Sequence, residues 1–133
     1  MNDKVVFDTG ALSLHFADHP GVREYFDLVL ARRSTGLIPS FNLAEFYYKT
    51  CQKLGKQTAD SRYYQIRNNG ELIIVQGDDL VRAAGLEKCR ESQRLSLADC
   101  FVLALARQEK ALLVTTDSEL AKVKGLETRH VKL

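Results

Sequence analysis

Short apolar runs alternate along the chain with longer stretches in which apolar residues recur every three or four positions. Five runs have the length and composition of β-strands: VVF at 5–7, GLIP at 36–39, LIIV at 72–75, LLVT at 112–115 and TRHV at 128–131. The first four predict fully buried strands, and the last predicts a weakly buried one. The longer stretches between these runs predict amphipathic helices. One example is the stretch that contains the apolar residues Val22, Tyr25, Phe26 and Val29.

The order of these elements predicts an α/β fold. Strands that alternate with helices are joined by right-handed crossovers, which place a mainly parallel sheet between two helical layers. Two helices are expected in the connection 40–69 and two more in 77–110. The last of these leads into the strand at Leu112, so it must begin at the carboxyl edge of the sheet, where Asp99 is then expected. With no linker-like segment, the chain predicts a single domain over residues 1–133.

Composition narrows the class of protein without choosing a partner. Hydrophobic residues make up 45% and charged residues 27% of the chain, which is typical of a globular protein and excludes a disordered one. The net charge of +2 permits an anionic partner but does not require one.

Every apolar run is shorter than the ~18 residues of a membrane span, and the N-terminus lacks a signal-peptide pattern, so a cytoplasmic protein without a membrane partner is expected. The three cysteines are odd in number and widely spaced, so they do not support a disulfide framework. The cysteines and the three histidines also lack the spacing of a zinc site.

Four acidic residues from distant parts of the chain fall on the predicted carboxyl edge of the sheet. Asp8 ends the first strand, and Asp117 ends the fourth. Glu45 lies in the first turn of the helix that begins SFNLAEF, and Asp99 lies three residues after Ser96. Open α/β sheets bind their ligands at this edge.

The same acids also have a structural interpretation, because strand ends and helix starts favour acidic caps. Asp8 and Asp117 can cap the helices that follow them, and two spacings match the capping box, Asn42-x-x-Glu45 and Ser96-x-x-Asp99. As a cluster, however, the acids repel one another. Two unit charges ~4 Å apart repel by about 4 kcal/mol at an effective dielectric of about 20, so the cluster needs a cation or shared protons.

A hard divalent cation explains both the repulsion and the oxygen-only donors. Mg²⁺ or Mn²⁺ held by a few carboxylates is typical of sites that act on phosphate esters, where the ion activates water and offsets charge on the leaving oxygen. The hydroxyls of Thr9, Thr115 and Thr116 lie beside the acids and could orient carboxylates or hold water. Threonine also simply suits strand ends.

Four stretches of the chain closely resemble the PIN-domain family of metal-dependent ribonucleases. They are VVFDTGALS at 5–13, PSFNLAEFYYK at 39–49, RLSLADCFVLALA at 94–106 and LLVTTDSEL at 112–120. The resemblance covers nearly the whole chain. It implies a three-layer α/β/α fold around a parallel sheet of four or five strands, with an acidic pocket that binds Mg²⁺ or Mn²⁺ and hydrolyses single-stranded RNA.

The resemblance also implies residue roles. The four acids fall on the family's acidic motif positions, and Thr115 matches the hydroxyl of its TxD element. A fifth acid often follows the last one, and Glu119 is the candidate for it, although glutamate departs from the pattern. The hypothesis is an endoribonuclease with four catalytic acids, of which Glu45 completes the pocket or helps to activate water and the other three bind the metal, namely Asp8, Asp99 and Asp117.

Small members of the family resemble toxins of type II toxin–antitoxin pairs, of the VapC kind, in which the helices equivalent to the pair in the connection 40–69 clasp the antitoxin and contribute to homodimers. Here that pair carries Tyr47 with Tyr48 and Tyr63 with Tyr64, and one ring of each pair can reach the surface. The resemblance therefore implies an antitoxin partner and a homodimer, while core packing with an ordinary rim is the alternative. Basic residues on the helices could bind RNA phosphates, and the sequence does not choose among them: Lys49, Lys53, Lys56, Arg62, Arg67, Arg90 and Arg94.

Three alternatives stay open at this point. The chain could be a PIN nuclease of RNA processing rather than a toxin, which neighbouring genes would decide. It could be an inactive PIN-like scaffold that binds proteins, although a site without function need not keep four repelling charges. A phosphoacceptor, receiver-like domain also clusters acids at a parallel sheet's edge, but it pairs acids after its first strand, where Asp8 stands alone.

Overall fold

A parallel five-stranded sheet forms the centre of the molecule, which we describe from a computed structural model over residues 3–91 and 94–133, leaving out the side chain of residue 91. The strands are Lys4–Phe7 (β1), Thr35–Pro39 (β2), Leu72–Val75 (β3), Leu112–Thr115 (β4) and Thr128–His130 (β5). They lie in the order β3-β2-β1-β4-β5, and every neighbouring pair is parallel. The predicted α/β class and parallel sheet are therefore confirmed.

Helices cover both faces of this sheet. They are Thr9–Phe16 (α1), Pro20–Leu30 (α2), Ser40–Leu54 (α3), Lys56–Arg67 (α4), Asp78–Glu91 (α5), Leu97–Glu109 (α6) and Ser118–Ala121 (α7). Because side chains alternate along a strand, Val5 and Phe7 join a core with α1 to α4, whereas Val6 joins a second core with α5 and α6. This arrangement gives the three layers that the resemblance implied. No helix within the described ranges is long and apolar enough to cross a membrane.

The strand at 72–75 is less buried than its apolar sequence predicts. Ile73 is 48% exposed, although Leu72 is buried. The reason is the position of β3 at the edge of the sheet, where only β2 pairs with it. The prediction of full burial is correct for the central strands and wrong for this one.

Helix α6 explains why an acid precedes a long apolar run. Residues 100–106 are all buried, because α6 packs on β1, β2 and β4 and also against α3 and α5. Ser96 caps the helix, and Asp99 lies in its first turn. The helix then ends at Lys110, which takes a left-handed conformation and leads into β4. The first turn of α6 therefore lies at the carboxyl edge of the sheet, as predicted.

Candidate active site

The four predicted acids meet in one cleft at the carboxyl edge of the sheet. We call it the acidic cleft; its volume is about 330 Å³, and it is lined by Asp8, Thr9, Gly10, Asn42, Glu45, Lys49, Arg94, Ser96, Asp99, Thr116 and Asp117. Thr115 lies at the end of β4, and its hydroxyl contacts Asp8. The structure thus brings together every predicted site residue except Glu119.

Asp8 is the most deeply buried of these acids, with 4% of its surface exposed. It caps α1, since Oδ1 accepts a hydrogen bond from the backbone N–H of Ala11 at 2.8 Å. Its Oδ2 accepts from the Thr115 hydroxyl and from the backbone N–H of Thr116. Burial raises the pKa of Asp8 above its ordinary value, these hydrogen bonds partly offset the rise, and the charge of Asp117 adds to it.

One hydroxyl links two of the acids. Thr115 is completely buried, and its Oγ1 donates to Asp8 and accepts from the backbone N–H of Asp117 at 2.9 Å. Asp117 in turn caps α7, because its Oδ1 accepts from the N–H groups of Glu119 and Leu120 at 2.8 and 2.9 Å. Thr115 therefore contacts the Asp8 carboxylate and the backbone of Asp117.

Asp99 combines a structural role with an unfavourable charge. Its Oδ2 accepts from the N–H of Ser96 at 3.3 Å, and its own N–H donates to the Ser96 hydroxyl at 3.1 Å, which completes the predicted capping box. Burial is the main cause that raises the pKa of Asp99 to about 6; the charges of Asp117 and Asp8 contribute to this rise, and the Ser96 hydrogen bonds oppose it. Three carboxylates therefore act on one another in the acidic cleft.

Glu45 reaches the acidic cleft from a different position than predicted. Helix α3 begins at Ser40, directly after β2, so Glu45 lies in its second turn and Pro39 is the N-cap without a side-chain hydrogen bond. The capping box predicted for Asn42 and Glu45 is wrong for this reason. Instead, Glu45 forms an ion pair with Lys49 one turn later, at 3.6 Å.

Asn42 is a site residue that the sequence reasoning interpreted only as a cap. It is 1% exposed, and its Nδ2 donates to the carbonyl of Ala98 and to the Thr9 hydroxyl. A carbonyl oxygen can only accept a hydrogen bond, so the Asn42 amide nitrogen must face Ala98 and the amide oxygen Oδ1 must face away from it. This buried oxygen has no hydrogen-bond partner within the described ranges. Its spacing of three residues from Glu45, on one helical face, was the available signal.

Gly10 lets helix α1 approach Thr116 closely beside Asp8. A Cβ atom at this position would lie 2.0 Å from the Thr116 hydroxyl oxygen, which is far inside van der Waals contact. Only glycine permits this approach of α1 to the end of β4. Gly10 was not among the site residues predicted from the sequence.

Glu119 lies outside the acidic cleft. Its carboxylate is 40% exposed and contacts Arg94 at 3.9 Å and Lys122 at 3.5 Å. It lines a neighbouring cleft together with these cations. The structure therefore does not place it with the other acids.

The donors suit a hard, oxygen-binding cation. Within residues 3–91 and 94–133, no group of three or more His, Cys, Asp or Glu side chains is arranged to hold a metal ion. The carboxylates of Asp8, Asp99 and Asp117 serve as helix caps. Mg²⁺, however, is commonly held by one or two carboxylates and keeps several waters. Asp8, Asp99 and Asp117 supply such carboxylates, and the unpartnered Oδ1 of Asn42 could accept from a water. The donor atoms of the acidic cleft are therefore of the type that a hard divalent cation prefers.

Three solved structures with a similar fold are described as VapBC or VapC proteins. VapBC2 from Rickettsia felis, bound to a promoter DNA fragment, aligns over 97% of this chain and 99% of its own with a TM-score of 0.74 and 19% identity. VapC20 from Mycobacterium tuberculosis, described as a Sarcin-Ricin loop cleaving toxin, aligns over 94% and 98% with a TM-score of 0.74 and 17% identity. DNA-bound VapBC from Salmonella typhimurium aligns over 96% and 97% with a TM-score of 0.71 and 18% identity. At these identities the similarity establishes the fold.

The family is established by sequence. No curated protein matches the chain. A model of the PIN domain matches residues 5–126, which include every acid of the cleft. The chain belongs to the PIN domain family.

Proposed function

We propose that this chain is an endoribonuclease that hydrolyses phosphodiester bonds of single-stranded RNA with Mg²⁺ or Mn²⁺. The observation that carries the proposal is the group of three carboxylates in the acidic cleft, where burial and mutual repulsion raise the pKa of Asp8 and Asp99. Charges this unfavourable in a cleft are typical of a functional site, and a cation relieves them. The PIN domain match supports the same reaction.

The residues of the acidic cleft take distinct roles in this proposal. Asp8, Asp99 and Asp117 hold the cation, and Thr115 keeps Asp8 and Asp117 in position. Glu45 completes the pocket or accepts a proton from the attacking water. The cation, when bound, would activate that water and stabilise charge on the leaving oxygen.

The other threonines support this arrangement through their contacts. Thr9 receives a hydrogen bond from Asn42, and the backbone of Thr116 donates to Asp8. We assign no catalytic role to Glu119, because its carboxylate contacts the cations of the neighbouring cleft.

An inactive scaffold is the second candidate, and the caps favour it. Asp8, Asp99 and Asp117 each accept backbone hydrogen bonds at a helix start, so the acids have structural partners without a metal. A receiver-like domain fits less well, because such domains have the strand order 2-1-3-4-5 and this sheet has the order β3-β2-β1-β4-β5.

The test separates the nuclease from the scaffold. The wild-type chain should cleave a labelled single-stranded RNA with Mg²⁺ or Mn²⁺ and not with a chelator. Asp117→Asn should abolish cleavage yet keep the fold, because an asparagine Oδ1 can still accept from the N–H groups of Glu119 and Leu120. Asp79→Asn is the control, since this exposed acid lies in the first turn of α5 outside the acidic cleft. No metal-dependent cleavage by the wild type would refute the nuclease proposal, and equal cleavage by wild type and Asp117→Asn would refute the acidic cleft as its site.

We further propose that the chain, as one PIN-like domain over residues 1–133, is the cytoplasmic toxin of a type II toxin–antitoxin pair. The support is the likeness to VapBC structures. Induced expression should arrest growth, coexpression of an adjacent antitoxin gene should relieve the arrest, and Asp117→Asn should be harmless. Normal growth during expression of an active wild-type chain would favour a nuclease of RNA processing.

The tyrosine-bearing surface of α3 and α4 is the proposed site for the antitoxin and for a homodimer. Tyr48 and Tyr64 are 48% and 59% exposed, whereas Tyr47 and Tyr63 are half-buried and pack edge to face. Large exposed aromatic rings are typical of protein interfaces. Light scattering should give a dimer mass at micromolar concentration, and a monomer mass would contradict the homodimer.

A further inference from the structure

A second cleft adjoins the acidic cleft and carries the opposite charge. We call it the basic cleft; its volume is about 340 Å³, and it is lined by Arg94, Leu95, Arg107, Glu119, Lys122, Val123 and Lys124. Arg94 lines both clefts. The short helix α7, which Asp117 caps on the acidic side, carries Glu119 on the basic side. The two clefts therefore lie next to each other, on either side of Arg94.

The charges of the basic cleft do not cancel. Arg107 forms an ion pair with the carboxylate of Glu87, which is 8% exposed, so its charge is matched inside the protein. The other cations of the lining are Arg94, Lys122 and Lys124, and Glu119 is the carboxylate among them. Even without Arg94, the two lysines outnumber the one carboxylate, so the basic cleft retains net positive charge next to a site that should act on a polyanion.

Glu119 occupies an anion position between two of these cations. One of its oxygens lies 3.5 Å from Lys122 and the other 3.9 Å from Arg94. Both contacts are long and solvent-exposed, and contacts of this kind are weak. A phosphate offers the same charged oxygens and could take the place of this carboxylate.

We propose that the basic cleft binds a backbone phosphate of single-stranded RNA beside the bond that is cleaved, and that Glu119 occupies the phosphate position in the free protein. Arg94, Lys122 and Lys124 bind the phosphate, and Glu119 turns aside when the RNA enters. The inference rests on the proposed function, since the acidic cleft defines where the strand is cut. It assigns Glu119 a competitive role instead of a metal-binding one.

The experiment measures RNA binding without turnover. A labelled single-stranded RNA is titrated by fluorescence anisotropy at several salt concentrations, with a chelator and in the Asp99→Asn background. Lys122→Gln with Lys124→Gln should weaken binding about ten-fold near physiological salt and make the logarithmic salt dependence shallower by about 0.7, because the neutralisation of one phosphate is lost. Glu119→Gln should tighten binding a few-fold, because a competing anion is removed.

The matched control removes two charges elsewhere. Arg33 and Lys110 are exposed and precede β2 and β4, so they lie at the opposite edge of the sheet. Arg33→Gln with Lys110→Gln should leave the affinity and the salt dependence nearly unchanged. Equal losses in the two double variants, weaker binding by Glu119→Gln, or an effect confined to duplex DNA would overturn the proposal.

The binding assay and the cleavage assay test the two proposals separately, so one proposal can fail while the other stands. If the lysine pair proves necessary for binding but no metal-dependent cleavage occurs, the nuclease proposal falls and the basic cleft remains an RNA site. If cleavage requires Asp117 but the lysine pair has no effect on RNA affinity, the nuclease stands and the basic cleft proposal falls.

Discussion

The acidic and basic clefts share Arg94 and are built from different kinds of contact. In the acidic cleft, Asp8 is 4% exposed and its two oxygens accept three hydrogen bonds from the protein. In the basic cleft, the Lys122 side chain is 66% exposed and approaches Glu119 only at 3.5 Å. The difference indicates different functions for the two clefts. The short, buried acids are held in one geometry, as catalysis requires, whereas the long, exposed cations can adjust to RNA strands of different conformation.

The comparison also shows that capping and chemistry can use the same carboxylate. Asp99 completes a capping box, yet its pKa is raised to about 6 by burial and by neighbouring acids. A residue kept only as a cap would not need such neighbours. Variants that keep the cap and remove the charge, or the reverse, therefore distinguish the two roles.

The largest effect is expected from Asp99→Asn. The asparagine oxygen can still accept from Ser96, but the negative charge is lost, so metal-dependent RNA cleavage should fall at least about 100-fold. The measurement is kcat/KM on a labelled RNA, together with circular dichroism to confirm the fold. Asp79→Asn serves as the control, and a cleavage rate equal to that of the wild type in Asp99→Asn would assign Asp99 to capping alone.

The next largest effect is expected from Thr115→Val. This change removes the hydroxyl that joins Asp8 to Asp117 but keeps the shape of the side chain. The cleavage rate should fall about 10- to 100-fold, and the free energy of unfolding should fall by about 1–3 kcal/mol. Thr115→Ser keeps the hydroxyl and should restore most of both. The checks are kcat/KM and urea unfolding; if valine and serine behave alike, the hydroxyl does not orient the acids.

A smaller effect is expected from Ser96→Ala, which removes the reciprocal half of the capping box and leaves the Asp99 charge. The loss should be about 1 kcal/mol of stability, with cleavage reduced only a few-fold. Urea unfolding and kcat/KM measure the two quantities on one sample. A loss of activity as large as that of Asp99→Asn would mean that the cap itself controls the reaction.

The smallest effect concerns pH. The folded-state pKa of Asp99 is raised from 3.8 to about 6, so its protonated form favours the folded state and this stability is lost as pH rises through about 6. Since Asp99 is partly exposed, we expect the metal-free Tm to fall by only about 5 °C from about pH 5 to about pH 7. Scanning calorimetry of wild type and Asp99→Asn tests this, because the variant should show a smaller fall; identical slopes would contradict it.

Features that depend on local pattern were predicted well from the sequence. The apolar runs predicted the strands, and the connection into Leu112 placed Asp99 at the carboxyl edge, because helix and strand periods are local properties. The caps by Asp8, Asp117 and Ser96 also follow from short spacings. These features together brought the acids to one rim.

Features that depend on the packing of distant elements were not predicted. LIIV at 72–75 and VVF at 5–7 look alike in sequence, but only the first lies at an edge, because strand order follows from the whole fold. The burial of Asn42 requires α1 and α6 to pack around α3. The contact of Glu119 with Arg94 depends on the position of the loop before α6 relative to α7. Sequence spacing alone contains none of these relationships.

The central claim is that the acidic cleft binds a divalent cation, and calorimetric titration with Mn²⁺ tests it most directly. The account predicts a saturable binding signal for the wild type and for Asp79→Asn, and an affinity at least about ten-fold lower for Asp99→Asn. If the wild type does not bind, or if Asp99→Asn binds as tightly as the wild type, the claim is contradicted.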